Sequence, residues 1–366
     1  MAGVAAAIGV AWACGSHGEA AGPAPFDGGV VDAGPPLDPR CETQAAFVTT
    51  HPHASQQATA IGQDLVDVRG FHGRVYFAYG DLNQNTGPIV VSSYDPATKT
   101  WQDHLTFDTE RIERFQIIGD QIWAPAADPR GALPDPEYAV GSATHVWKQV
   151  DIGPSLHVTD AIERVPGEVL LTGTAWVNQA ARLGGGSVWR SVDGGAFDRI
   201  FPLFDDAGAP TLFDGIYVPF MGAALHGTAY VTGLGGAWAY DGGEWANGVP
   251  LNDFFRPVTF ADRLVFAAAG DLYASDGVTR KRLDIRLFEN PALWQFVLEP
   301  IPTFQSTEQH LVAIDVARNV LATDDLTHWS CIGKAPADVR SIGSLDGVVY
   351  FGGAGGRVYA LPARSW

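Results

Sequence analysis

Residues 64–107 read DLVDVRGFHGRVYFAYGDLNQNTGPIVVSSYDPATKTWQDHLTF. Four short apolar, aromatic and β-branched runs lie within this stretch: DLVDVRGF, GRVYFAYG, GPIVVSSYDP and KTWQDHLTF. The breaks between them carry the Gly, Asn, Asp and Pro that hairpin turns require. The stretch predicts four antiparallel strands in succession, with DLVDVRGF as the inner one.

The same opening, a tight turn followed at once by an apolar run, recurs along the chain. The turns fall at Gly73, Asp120, Gly167, Gly227, Asp262, Glu308 and Gly347, and they lead into RVYFAYG, QIWAPAA, EVLLTGT, TAYVTGL, RLVFAAA, QHLVAID and VVYFGGA. The intervals are 47, 47, 60, 35, 46 and 39 residues, near the roughly 40 to 50 of one four-stranded propeller blade. A single blade cannot bury its faces, so its neighbours must stack around a closed ring. Later repeats end in SVWRSVDGGAFDRI, GAWAYDGGEWANG, DLYASDGVTRKRL and VLATDDLTHWSCI, each a strand, an Asp-containing turn and another strand. The last repeat, DVRSIGSLDGVVYFGGAGGRVYALPARSW, has room for three strands only. Residues 42–50, ETQAAFVTT, read as an isolated strand that would complete it. The expectation is an all-β, seven-bladed β-propeller of four-stranded antiparallel blades, spanning residues 41–366 and closed by an N-terminal strand, which leaves no exposed sheet edge.

Composition agrees. Hydrophobic residues make up 46% and charged ones 17%, with 43 Gly and 24 Pro, which suits short buried strands and tight turns and argues against long helices. The net charge is −18, so the surface should repel nucleic acid and anionic lipid.

Residues 1–14, MAGVAAAIGVAWAC, are small and apolar and precede a Gly-, Pro-, Ala- and Asp-rich stretch over 15–40. The first segment looks like the end of a secretory signal, and Cys14 resembles the lipid-modified cysteine of bacterial lipoproteins. Ordinary secretion with cleavage nearby and an apolar N-terminus without meaning are the other readings. The second segment has little to bury and is expected to be a disordered tether. Two further cysteines, Cys41 and Cys331, stand near the two ends of the repeat region. In an exported chain they read as a disulfide clasping the ring; two buried thiols are the alternative.

The phrase FFRPVTFADRLVFAAAGDLYASDG (254–277) follows a common blade pattern, and SVDGGAF (Ser191–Phe197) and TDDLTHW, ending in Trp329, are similar to Asp-box turns. On these residues the chain resembles the seven-bladed β-propellers of bacterial exported proteins, in the kelch-like and sialidase-like neighbourhood. In an Asp-box the carboxylate accepts backbone N–H groups across the turn while an aromatic residue packs beneath it. That implies a fold marker, not an active site.

Three arginines, Arg114, Arg256 and Arg340, each stand six residues before Asp120, Asp262 and Asp346. They could converge on a carboxylate or phosphate, since guanidinium forks bind such groups bidentately. Packing or ion pairing between blades is the competing explanation. Asp81, Asn83 and Asn85 alternate as the first ligands of a calcium loop do, but they also read as a hairpin turn. His51 and His53 could chelate a metal from one strand face. Trp123, Trp147, Trp189, Trp238, Trp245 and Trp329 sit where blades would pack. The loops 126–144 and 202–216 are the longest insertions, and long loops on rigid scaffolds tend to carry recognition.

The expectation is an exported, lipid-anchored, monomeric envelope protein without catalysis or cofactor. It would present one propeller face to a protein or glycan ligand and bind no nucleic acid. A hydrolase or lyase that grips an anionic sugar with the three arginines is the alternative.

Overall fold

The computed structural model describes residues 39–81, 84, 86–126, 138–153, 155, 157–178, 183–200, 218–234, 236–247, 255–287, 304–307 and 309–362. Cys14 and the segments 1–14 and 15–38 lie outside them, as do Asn83, Asn85, Glu308 and most of both long insertions. Among the described residues there is no α-helix, and no helix long and apolar enough to cross a membrane.

Strand β1 (Ala46–Thr50) comes first in the chain. Blade 1 follows as β2 (Asp67–Phe71), β3 (Arg74–Ala78), β4 (Ile89–Asp95) and β5 (Thr100–Phe107), on the four runs quoted from the sequence. Blades 2 to 6 repeat the pattern over residues 116–150 (β6–β9), 157–199 (β10–β13), 218–247 (β14–β17), 255–286 (β18–β21) and 304–334 (β22–β25). The seventh has three consecutive strands, β26 (Val339–Leu345), β27 (Val348–Gly353) and β28 (Arg357–Pro362). Its fourth strand is β1, which pairs antiparallel with β28, Ala46 opposite Ala360 and Thr50 opposite Arg357. The protein is a seven-bladed β-propeller, closed by its N-terminal strand. The long 167–227 interval holds an extended hairpin, Glu168–Asn178 against Leu183–Val192, rather than an additional blade.

A polar tie accompanies the closure. Before entering blade 7 the chain makes a parallel bridge from Gln44 to Lys334 on blade 6, with Ala45 N donating to Lys334 O and Lys334 N to Thr43 O. Cys41 is disulfide-bonded to Cys331 on the outer strand of that blade, across 290 residues of sequence. The bond therefore joins the start of the ring to its penultimate blade.

Apolar burial lies between blades rather than within them. Val258, Val265 and Leu272 of blade 5 pack with Leu311 and Ala313 of blade 6, and Val312 and Val320 of blade 6 pack with Ile342 and Phe351 of blade 7. Comparable clusters join blades 2 to 3, 3 to 4 and 4 to 5, and one continuous cluster joins blade 7 to blades 1 and 2. Several tryptophans act in these seams. Trp147 of blade 2 lies 5.6 Å from Tyr76 of blade 1, and Trp245 of blade 4 donates its Nε1–H to Ile200 O beside blade 3.

The turns between third and fourth strands share one device. Asp95, Asp241, Asp276 and Asp325 each accept two backbone N–H groups from residues two and three positions on, an Asx turn that replaces backbone pairing at the bend. These donors hold the Asp276 carboxyl down at about 2. In the corresponding turn of blade 3 it is Ser191 that ties the bend, its hydroxyl donating to Gly195 O at 2.7 Å, while Phe197 packs edge-on against Tyr138 of blade 2.

Candidate functional site: the central channel

The inner strands β2, β6, β10, β14, β18, β22 and β26 surround the ring axis. Asp67, Arg114 and Arg256 each stand four residues before the end of their inner strand, at Phe71, Ile118 and Phe260. Aligning blades on the strand end instead of on a turn Asp thus puts a carboxylate level with two of the arginines. Asp160 of β10 joins them through its bulged register.

This level is crossed by hydrogen bonds. Arg114 reaches the neighbouring blade at Asp160 Oδ2 (3.1 Å) and spans the ring to Pro257 O of blade 5 (2.9 Å). Arg256 reaches back from blade 5 to Val66 O (3.2 Å) and Glu113 O (3.4 Å), and lies 3.8 Å from Asp67. Asp160 also accepts from Gln116 Nε2 (2.7 Å) and from the backbone N of Gly222 (3.0 Å), so it links blades 2, 3 and 4. Asp67 accepts from Phe115 N at 2.9 Å. Burial lowers the Arg256 guanidinium pKa, an effect opposed chiefly by Asp67. The result is a cross-braced floor.

Of the three arginines singled out in the sequence, the structure brings Arg114 and Arg256 together and holds both by protein acceptors. Arg340 is elsewhere: half-buried, it donates Nε–H to Asp64 at 2.9 Å, an ion pair joining blade 7 to the segment that leads into blade 1. Asp81 is buried, and its Oδ2 accepts from Thr59 at 2.7 Å; Asn83 and Asn85 lie outside the described residues. His51 is fully buried, its Nδ1 accepting from Ala54 N and its Nε2 bonded to Ser92 Oγ, which engages both ring nitrogens. His53 turns instead to Asp103 at 2.8 Å. Among the described residues no cluster of three or more His, Cys, Asp or Glu side chains could hold a metal.

Beyond the floor, toward the turns that end the inner strands, the channel widens. A cavity of about 710 Å³ is lined by the strand ends of blades 1, 2, 6 and 7, among them Phe71, Ile117, Gln305, Ser306, Ser344 and Leu345. A smaller cavity of about 250 Å³ adjoins it, lined from blades 1 to 6. Arg69, Ile117 and Ser306 line both. At the rim, His72 bonds Asp120 of the next blade at 2.6 Å, and His226 bonds Asp262 in the same way between blades 4 and 5.

Blade 7 meets blade 1 backbone to backbone at this mouth. A Cβ on Gly70 would strike Ser344 O, and one on Gly343 would strike Val68 O. Glycine permits that approach.

The residue that turn alignment passes over is Arg69. It sits two positions before the end of β2, in DVRGF, and is 8% exposed. Its Nε is buried with no hydrogen-bond partner among the described residues. Burial, partly offset by Asp67 and Asp160 and reinforced by the like charges of Arg114 and Arg256, lowers its pKa to about 10. A charged residue between the apolar Val68 and the close-packed Gly70 is the sequence signal that could have found it.

No protein-family model matches the chain, and no curated protein matches its sequence. Solved structures do match in shape. YCF48 bound to a D1 peptide shares 11% identity at a TM-score of 0.52, covering 87% of this chain and 96% of that one. The Neurospora crassa Pan2 WD40 domain shares 8% at 0.54, covering 90% and 98%. The extracellular domain of the putative one component system BT4673 from B. thetaiotaomicron shares 10% at 0.54, covering 89% of this chain and 44% of that one. The likeness is one of fold alone.

Proposed function

We infer that the protein is a non-catalytic binding or scaffold protein of the cell envelope, anchored by lipid at Cys14, that presents the mouth of its central channel to a protein or glycan ligand. The observation that carries this reading is the contrast within the channel. Its floor is closed by Arg114, Arg256 and their acceptors, while its mouth opens into a cavity of about 710 Å³ lined from four blades, within the roughly 300–1,000 Å³ common for ligand sites. The disulfide fits an oxidising compartment. Propellers of the same shape include one bound to a peptide and one that is an extracellular domain, which accords with a protein ligand outside the cell. A hydrolase or lyase gripping an anionic sugar with Arg114, Arg256 and Arg340 draws less support, because protein acceptors engage all three guanidinium groups.

The test is a glycan and peptide array probed with the full chain and with Ser306→Trp, whose indole would fill the space between the two cavities. A ligand bound by the wild type and lost in the variant supports the reading. A ligand that Ser306→Trp binds unchanged places recognition on another face and ends it. The anchor is tested separately: radiolabelled palmitate should enter the wild type and not Cys14→Ser, and equal labelling would remove that part.

A further inference from the structure

Resting on the channel mouth as the binding face, we propose that Arg69 anchors a small organic oxyanion, a carboxylate or a phosphate monoester, in the cavity above the braced floor. Asp160 is held by Arg114, Gln116 and Gly222 N, and Asp67 by Phe115 N with Arg256 nearby. The anions of the floor are therefore committed, and Arg69 is the cation left over, nine-tenths buried with an unpartnered Nε. Asp67 and Asp160 act on it only from beyond ion-pairing distance, and a buried guanidinium with no close ion pair among the described residues is costly. The planar fork of arginine matches a carboxylate or phosphate with two parallel N–H···O bonds.

The lining defines the rest of the ligand. Phe71, Ile117 and Leu345 offer apolar contact, and Gln305, Ser306 and Ser344 offer hydrogen bonds, so the body attached to the anion is organic and partly polar. Its charge is small. The protein carries −18 overall, and Asp120 and Asp346 line the mouth, a field that turns polyanions away while one local cation admits a single oxyanion.

The experiment uses the full chain labelled with ¹⁵N-arginine. The Arg69 Nε–Hε resonance, assigned by its loss in Arg69→Met, is followed through titrations with acetate and with inorganic phosphate at constant ionic strength, chloride serving as control. Saturable movement with acetate, phosphate or both supports the proposal and tells the two oxyanions apart. No movement with either, or movement in step with chloride, overturns it. Arg69→Lys keeps the charge and loses the fork; its anion affinity, followed by thermal shift, should fall about tenfold, equivalent to 1.4 kcal/mol. Ligand-free Arg69→Met should be at least as stable as the wild type, and a marked loss would assign Arg69 to the scaffold instead. An array ligand lost in Ser306→Trp yet retained in Arg69→Met would sink the oxyanion while leaving the binding face intact. One retained in both would remove the face itself.

Discussion

At the floor of the channel Arg114 and Arg256 span the ring and are held by Asp160 and by backbone carbonyls of the opposite blade. Two residues further along β2 than the floor carboxylate Asp67, Arg69 is as deeply buried as many core side chains and holds none of these partners. The residue type and the inner-strand setting are the same. What differs is whether the ring has closed on the side chain. In this propeller two depths along one axis treat arginine differently: the braced level ties Arg114 and Arg256 across the blades, and the level above it leaves the Arg69 Nε without a hydrogen-bond partner among the described residues.

The sharpest way to break that contrast is to remove the carboxylate that centres the floor. Asp160→Ala would leave Gln116 and Gly222 N without this acceptor and Arg114 with Pro257 O but no carboxylate, and stranding a buried charge typically costs about 3–5 kcal/mol. Denaturant unfolding should show a loss of that order, against little or none for Arg69→Met. If the two variants lose equal stability, floor and mouth are not different kinds of site.

A second variant compares bracing at the axis with bracing at the outer strands. Replacing Cys41 and Cys331 together by Ser should lower unfolding free energy by about 2–5 kcal/mol. Hydrogen exchange should then rise first in β1, which the bond helps hold in blade 7. Uniform exchange over all blades would show that closure and floor act as one cooperative unit.

Acid probes a polar group that lies far from the axis. Burial, and secondarily His53, holds the His51 ring at about 3 against a free value of 6.5, and burial likewise lowers His104 to about 4. A histidine depressed on folding favours the folded state above its free value and withdraws that support as pH falls from about 6.5 through the folded value. The melting temperature should therefore decline between about pH 6.5 and 3, and less steeply in His51→Gln. An unchanged slope in that variant would assign the decline to other groups.

The smallest effect belongs to the exposed Asx turns. Asp276→Asn removes a carboxylate stabilised by the backbone N–H groups of Thr279 and Val278. Its support is present above pH about 3.8 and fades as pH falls toward about 2. The expected result is a slight fall in melting temperature at neutral pH that disappears near pH 2, read by calorimetry.

The strands were legible because each depends on neighbours in sequence. GRVYFAYG and GPIVVSSYDP alternate, turn and pair as β3 and β4 within one blade, and the missing fourth strand of the last repeat pointed to residues 42–50. The arginines were legible as repeated positions but not as sites. Arg114 and Pro257 are 143 residues apart, and no period links an arginine to a carbonyl on the far side of the ring. Matching blades through Asp120, Asp262 and Asp346 also passed over blade 1, whose turn is His72-Gly73, and with it Arg69 and Asp67.

Local pattern alone gave the all-β class, the seven-fold repeat and the closing strand, since turn chemistry, strand alternation and repeat length are short-range properties carried by adjacent residues. That Cys41 and Cys331 pair, rather than stay as two buried thiols, was decided by the ring that brings them together across 290 residues. Only the closed ring decided which arginines are braces and which one faces the cavity. That outcome depends on distances across the axis, where side chains from blades 1, 2, 3 and 5 meet in a buried space that pairs Arg114 with Asp160 and Arg256 with Asp67 and, among the described residues, leaves the Arg69 Nε without a hydrogen-bond partner.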